Sequence, residues 1–292
     1  MTAVVIAQAL GGAVRNGQGW LAKCPAHDDR SPSLSLADGD GGKLLVKCFA
    51  GCDARAVLAA LRQRDLLNGS ATVSAPVTIP QYKQKDDTSR IERARSIWVK
   101  TLPAYGTLVE AYCRARGYTG AIPATLRFHQ GLRHKDTGNM LFPVMIAAVT
   151  IAPDKNIVAV HRTYLAHDGR AKAPVSEAKM SLGPVGGGAV RLAQAAETLA
   201  VTEGIETALS IMQATGIATW AALSAGGIIR LILPPLPLAR EVIICADHDA
   251  NGVGQRAADT AAKRWITEGR HVRIALPPHP GSDFNDILCE VA

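Results

Sequence analysis

Four side chains of metal-binding type fall in two tight pairs near the N-terminus. Cys24 and His27 stand in "CPAH", and Cys48 and Cys52 stand in "CFAGC". No other feature limits so strongly what its surroundings can fold into. Three thiols and one imidazole, held on two short turns, are the donor set of a closed tetrahedral zinc site. All four positions are filled by protein, so the zinc is structural rather than catalytic. A stretch with this little apolar mass gains folding free energy from the metal. The alternative reading is two turn residues and two buried small hydrophobes brought into this spacing by chance. Around the quartet, residues 1–65 read as a small zinc-ribbon-like module. Turn residues crowd "DGDGGK" at 38–43. Short strands are expected at 33–36 and 44–47, and a helix at 54–64 with Asp53 as its cap. Six cysteines in 292 residues do not form the framework of a small secreted disulfide protein.

Residues 66–89, rich in Ser, Thr and Pro, read as a linker. Residues 90–196 read as a mixed α/β segment. Helices are expected at 90–102 and 105–116, broken at Pro103. The runs "NMLFPVMIAAVT" and "NIVAVHRTYLA" pair as antiparallel strands across Pro153-Asp154-Lys155, and "GPVGGGAVRL" reads as flexible. From 197 to 292 the rhythm becomes βαβα. Strands are expected at 198–202, 218–223, 241–246 and 271–277, with helices at 205–214 and 253–267 and a short closing helix in "DFNDILCEV". The expected class is α/β, ending in a small, mostly parallel sheet flanked by helices.

Carboxylates punctuate that C-terminal rhythm. Glu203 follows one predicted strand, and Asp247 and Asp249 follow another in "CADHDANG". Residues just beyond the C-terminal ends of parallel strands share one edge of a sheet. Hard oxygen ligands gathered there suit Mg²⁺ or Mn²⁺. "GSDFNDIL" adds Asp283 and Asp286, which either cap the closing helix or line the same cleft. Each acid taken alone also reads as a turn or helix-start residue. His248 is expected to face away from the ion.

Charge is unevenly spread. Residues 81–135 hold eleven Lys and Arg against four Asp and Glu, whereas residues 197–292 hold seven against eleven. That is the pattern of a polyanion-facing surface beside a carboxylate-rich site. "HRTYLAHDGRAKAPVSEAKMSLG" carries Arg162, Arg170, Lys172 and Lys179, side chains that grip phosphate. A solvated basic face is the plainer reading of any one of them. "GPVGGGAV" lacks the Gly-Lys-Ser/Thr ending of a P-loop. No signal peptide is evident, and no stretch reaches the ~20 apolar residues of a membrane span; a cytoplasmic location is expected.

"CPAHDDRSPSLSL…KCFAGC" resembles the CHC2 zinc-binding domain of bacterial and phage DNA primases. Three residues separate Cys48 from Cys52 where the bacterial pattern has two, a departure similar to that of phage and mobile-element relatives. "VTEGIETALSI" and Asp247-x-Asp249 resemble the toprim domain shared by DnaG-type primases, topoisomerases and some nucleases. The resemblance implies a DNA primase that makes short RNA primers on single-stranded DNA from NTPs. It implies that Glu203, Asp247 and Asp249 are catalytic, with Asp283 and Asp286 as further magnesium ligands. It assigns 90–196 to the N-terminal part of the polymerase core, where Arg162, Arg170, Lys172, Lys179 and Arg191 would contact template or nucleotide. A separate replicative helicase is the implied partner. A toprim-type nuclease and a noncatalytic zinc-containing replication accessory protein are the rival expectations.

Overall fold

The computed structural model describes residues 2–16, 19–29, 32–39, 43–67, 84–138, 140–248 and 252–291. The chain divides into two compact units, Met1–Ile79 and Pro80–Ala292. Most of the expected linker, residues 68–83, lies outside the described residues.

The first unit is a four-stranded antiparallel sheet with two helices that share one core with it. Helix α1 (Ala3–Leu10) leads into strands β1 (Val14–Asn16), β2 (Gly19–Ala22), β3 (Leu34–Gly39) and β4 (Lys43–Cys48), paired in sequence order. Helix α2 (Ala54–Gln63) follows, and the Asp53 carboxylate accepts from Arg55 N, so the expected cap is present. Leu34 and Leu36 alternate inward along β3 and meet Ile6, Val57 and Leu61 in a core that also holds Cys24 and Cys48. Helix α1 and the β1–β2 hairpin are short elements that the sequence pattern did not mark.

The second unit begins with α3 (Gln84–Val99), which starts six residues before the expected helix, and the two-residue strand β5 (Leu102–Pro103). Helix α4 (Leu108–Ala115) follows, with Thr107 capping it through Val109 N. Next come β6 (Leu126–Arg133), β7 (Leu141–Ile151), β8 (Ile157–Tyr164), β9 (Lys179–Leu182) and β10 (Gly188–Arg191). The rest alternates: β11 (Thr198–Thr202), α5 (Ile205–Thr215), β12 (Thr219–Ala221), α6 (Ala225–Arg230), β13 (Glu241–Cys245), α7 (Val253–Thr267), β14 (His271–Ala275) and α8 (Phe284–Val291).

Instead of a separate small sheet, the described residues form one mixed sheet of ten strands. Its main path is β14-β13-β11-β12-β10-β7-β6-β5, with β8 on β7 and β9 on β8. β14, β13, β11 and β12 are mutually parallel. β10 joins them to the antiparallel half by pairing antiparallel with both β12 and β7. The second half of the segment expected to be flexible is therefore a strand, buried at Gly188, Ala189 and Val190. Its glycines serve close packing: a Cβ on Gly188 would lie 2.8 Å from Val149 Cγ1. Helices cover both faces. Leu199, Val201, Val242 and Ile244 pack with Trp265 and the small side chains of α7. Met145, Ala147 and Val149 pack under α4 and α5, and Val144, Ile146 and Val160 pack under α3.

Candidate functional site

In the first unit, two chain reversals bring the metal donors together. Cys24 and His27 lie just beyond β2, Cys48 ends β4, and Cys52 precedes α2. Their ligand atoms all lie within 4.8 Å of one another, with His27 Nδ1 3.2 Å from Cys52 Sγ and 4.0 Å from Cys48 Sγ. A tetrahedral zinc with bonds near 2.3 Å requires donor separations of about 3.5–3.8 Å, so the quartet fits. Burial pushes the Cys24 thiol up to about 12, and the neighbouring Cys48 and Cys52 add to the rise. A dication relieves that crowding by binding the thiolates.

Asp29, which the sequence reading passed over, organises the site. One of its oxygens accepts from Cys24 N at 2.7 Å and from Ser33 Oγ at 2.6 Å. The other faces His27 Nε2 at 3.6 Å. With Nδ1 toward the thiols and Nε2 toward a carboxylate, His27 has the orientation of a zinc-bound histidine and its outer partner. Burial alone would raise the Asp29 carboxyl; the Ser33 hydroxyl, the Cys24 amide and His27 together hold it below its ordinary value. Phe49 is 59% exposed beside the quartet, with Lys47 Nζ 5.7 Å from its ring centroid.

In the second unit, the register of adjacent parallel strands fixes the acidic edge. Thr202 of β11 stands opposite Cys245 of β13. Glu203 comes one residue past the first, and Asp247 two residues past the second, so both sit at the C-terminal edge of the parallel strands. Cys245 in turn stands opposite Ala275 of β14. The loop after β14 is tied to the same edge: His248 N donates to Ser282 O, Gly281 N donates to His248 O, and the His248 ring bonds Pro277 O through Nδ1. His248 thus holds the loop that leads into Asp283. Asp283 Oδ1 accepts from Asn285 N and Asp286 N, while Asp286 Oδ2 accepts from Asp283 N. The two acids cap α8 reciprocally, beside the acidic edge. Asp249 lies outside the described residues.

The charged centre that sequence reasoning missed is Glu206. It is buried in the first turn of α5, where residues 205–211 are all buried. Tyr112 donates its hydroxyl to Glu206 Oε1 at 2.7 Å, and Lys179 Nζ donates to Oε2 at 2.9 Å. Lys172 Nζ stands 4.0 Å from Oε1. Burial would raise this carboxyl; Lys179 above all, then Tyr112 and Lys172, overcome burial and hold it down to about 2. Burial and Glu206 in turn push the Tyr112 phenol well up. Burial and the nearby Lys179 lower His161 to about 4, while its ring bonds Ser181 Oγ. A signal for Glu206 was present: an acid inside a helix buried on every side must be paired.

The predicted cations separate by location. Lys172 and Lys179 meet at Glu206 and line an open cavity of about 530 Å³ with Glu177 and Ser181. A Cβ on Gly204, next to Glu203, would lie 3.6 Å from Glu206 Oε2, so the pair stands close to the acidic edge. Arg162 alternates to the opposite face of β8, shared with Val160 and Tyr164 under α3. Arg170 is exposed in the turn after Asp168. Arg191 ends β10 opposite Trp220 of β12. Because β10 runs against the parallel strands, it carries Arg191 away from the acidic edge.

Residues 198–292 match the toprim domain. A second match, to "Domain of unknown function (DUF7146)", spans residues 88–192. No curated protein matches the chain. Among solved structures, the chain is similar to the zinc-binding and RNA polymerase domains of the Aquifex aeolicus primase. That likeness has 14% identity and a TM-score of 0.43, covering 99% of this chain and 80% of that one. The primase fragment of the bacteriophage T7 primase-helicase protein is similar over 93% of this chain and 95% of its own, at 16% identity and a TM-score of 0.38. The DnaG catalytic core is similar over 50% of this chain and 48% of its own, at 19% identity and a TM-score of 0.37. The toprim match and the donor quartet together show a toprim region joined to an N-terminal Cys/His cluster suited to zinc. Among the described residues, no helix is long and apolar enough to cross a membrane.

Proposed function

We propose that this protein is a DNA primase, synthesising short RNA primers on single-stranded DNA by metal-dependent nucleotidyl transfer. The observation that carries the reading is the placement of Glu203 and Asp247 on neighbouring parallel strands at one sheet edge, inside the toprim match. Two half-buried carboxylates at such an edge are a hard-donor set suited to Mg²⁺ or Mn²⁺. Glu203, Asp247 and Asp249 would hold that ion, with Asp283 or Asp286 reaching it, and it supplies Lewis-acid neutralisation of the triphosphate. In the transfer, the primer 3′-oxygen bonds the α-phosphorus, the α–β bridging bond breaks, and pyrophosphate leaves. Lys172 and Lys179 keep positive charge beside the acidic edge, where phosphate charge develops. Arg170, exposed in the turn after Asp168, extends the cationic character toward the template. The zinc unit engages single-stranded template, and the exposed Phe49 beside Lys47 offers one stacking face.

The test supplies the purified protein with single-stranded DNA, labelled NTPs and Mg²⁺. Template-dependent oligoribonucleotides are expected, falling by at least ~100-fold in Asp247→Asn, as loss of a charge-stabilising group in the site requires. DNA degradation without NTP incorporation would replace this reading with a toprim nuclease. Template binding with neither reaction would leave an accessory role.

A further inference from the structure

We propose that the pocket built around Arg191 and Trp220 docks an acidic, apolar peptide segment of a partner protein. The pocket is separate from the acidic edge and does not depend on the reaction proposed there. It encloses about 600 Å³, room for two or three side chains. Its base is the Arg191 guanidinium, stacked on the Trp220 ring with 4.6 Å between the guanidinium carbon and the ring centroid.

Arg191 is fixed through its backbone, where its carbonyl accepts from Thr125 Oγ1, and its side chain lines the pocket without an ion pair. Yet Nε and Nη2 are buried and have no hydrogen-bond partner. Arg270 and Arg264 share a buried Nε without a hydrogen-bond partner, but their Nη groups are matched by carbonyls. Arg270 binds the carbonyls of Pro234, Leu238 and Ala239, and Arg264 binds those of Ile229 and Leu231. No salt bridge reaches Arg191 among the described residues; Asp154 acts on it only from beyond ion-pair distance. With no acid paired to it, Arg191 gives the pocket a fixed positive charge, and an acidic group on a partner complements that charge. Lys155 adds a second cation to the wall, and no acidic side chain lines the pocket.

The remaining surface is apolar. Pro234 and Leu238 form one wall, and Ile232 and Leu236 on the same segment are 48% and 45% exposed. Prolines at 234, 235 and 237 fix much of this segment's backbone in advance, which reduces the ordering cost of binding. Aliphatic walls around a buried Arg on Trp are the composition of a protein-recognition hot spot. Nucleic acid fits less well. Trp220 is only 2% exposed and lies against Arg191, and Trp98 already carries Arg127 with 5.1 Å to its ring centroid. Neither ring offers the open face that bases stack on.

The test uses the full chain, labelled, on an array of tetrapeptides in which Asp or Glu precedes Leu, Ile, Phe or Pro. Each peptide is paired with its Asn or Gln counterpart, and oligo(dT) is included. Acidic peptides should be retained at least tenfold better than their neutral pairs, and that preference should vanish in Arg191→Leu. The same variant should keep its thermal midpoint within a few degrees, since leucine gives up the contact with Trp220 but also removes a desolvated cation with unmatched N–H groups. Leu238→Asp, at the exposed rim, is a second variant and should repel the acidic peptides without touching the core. Equal retention of acidic and neutral peptides would overturn the proposal. So would an acidic preference that survives both variants, or Arg191-dependent retention of oligo(dT) in place of peptide.

Discussion

At Glu206, side chains from two elements and a loop converge on one carboxylate: Tyr112 of α4, Lys179 of β9, and Lys172 of the loop between β8 and β9. The depressed carboxyl sets the direction of a pH effect. A carboxyl whose folded value lies below its ordinary 4.5 contributes stability that is fully present above that pH. The contribution is lost as pH falls from 4.5 toward about 2. His161 acts in a higher window: its folded value of about 4 lies below the ordinary 6.5, so its contribution fades as pH falls between them. Comparing the protein with Glu206→Gln isolates the first effect. Urea unfolding at pH 7 should find the variant less stable by roughly 1–3 kcal/mol. That is below the full cost of breaking a buried pair, because Lys172 and Lys179 are 35% and 37% exposed and can rehydrate. The gap should close between pH 4.5 and 2. A gap constant over that range would place the cost in packing rather than charge. The zinc quartet was legible because two local pairs carry it. Glu206 was not, since Tyr112 lies 94 residues away and Lys179 lies 27 away. Asp29 was missed for another reason: one acid among loop residues has no period or spacing to mark it.

At the scale of elements, the C-terminal alternation was readable because each strand is a short apolar run and each helix has a clear start. The helix expected at 253–267 is α7 to the residue, and β11 likewise matches its expected strand. β10 escaped because glycines that fit a strand against Val149 look the same in sequence as glycines that make a loop flexible. The ten-stranded continuity escaped because strand neighbours such as β10 and β12 are set by tertiary packing, not by local pattern. The acidic pair at α8 was left open between cap and cleft, and the hydrogen bonds show the cap. Asp283→Ala should therefore cost about 1 kcal/mol in metal-free buffer. Asp283→Ser, which keeps an acceptor at the cap, should recover most of that stability. If Asp283 also serves the metal, the serine variant will remain stable yet lose the proposed primer synthesis. Matching losses of stability and activity in both variants would confine Asp283 to capping.

The whole molecule has two compact units with different sources of stability. The second rests on a broad sheet with buried residues on both faces, including the fully buried Trp265 and Ile146. The first has 79 residues, and Cys24 and Cys48 sit within its core. Domains this small bury a lower fraction of their surface, and a metal or disulfide adds to what the core supplies. None of the six cysteines is paired in a disulfide, and four donors of this unit are placed to hold a metal. Zinc analysis of the purified chain should find about one ion per molecule, as a filled Cys/His quartet requires. Stripping it with a chelator should abolish amide hydrogen-exchange protection in α1, β2–β4 and α2, while protection in β7, β11 and β13 persists. Returning Zn²⁺ should restore the lost protection, since binding and folding of such a site are one equilibrium. Mg²⁺ should not restore it, because thiolates are poor ligands for a hard cation. If protection in the first unit survives complete removal of zinc, its apolar core suffices and the quartet is not its staple. If protection in both units collapses together, their stabilities are coupled, and the second unit draws on the metal as well.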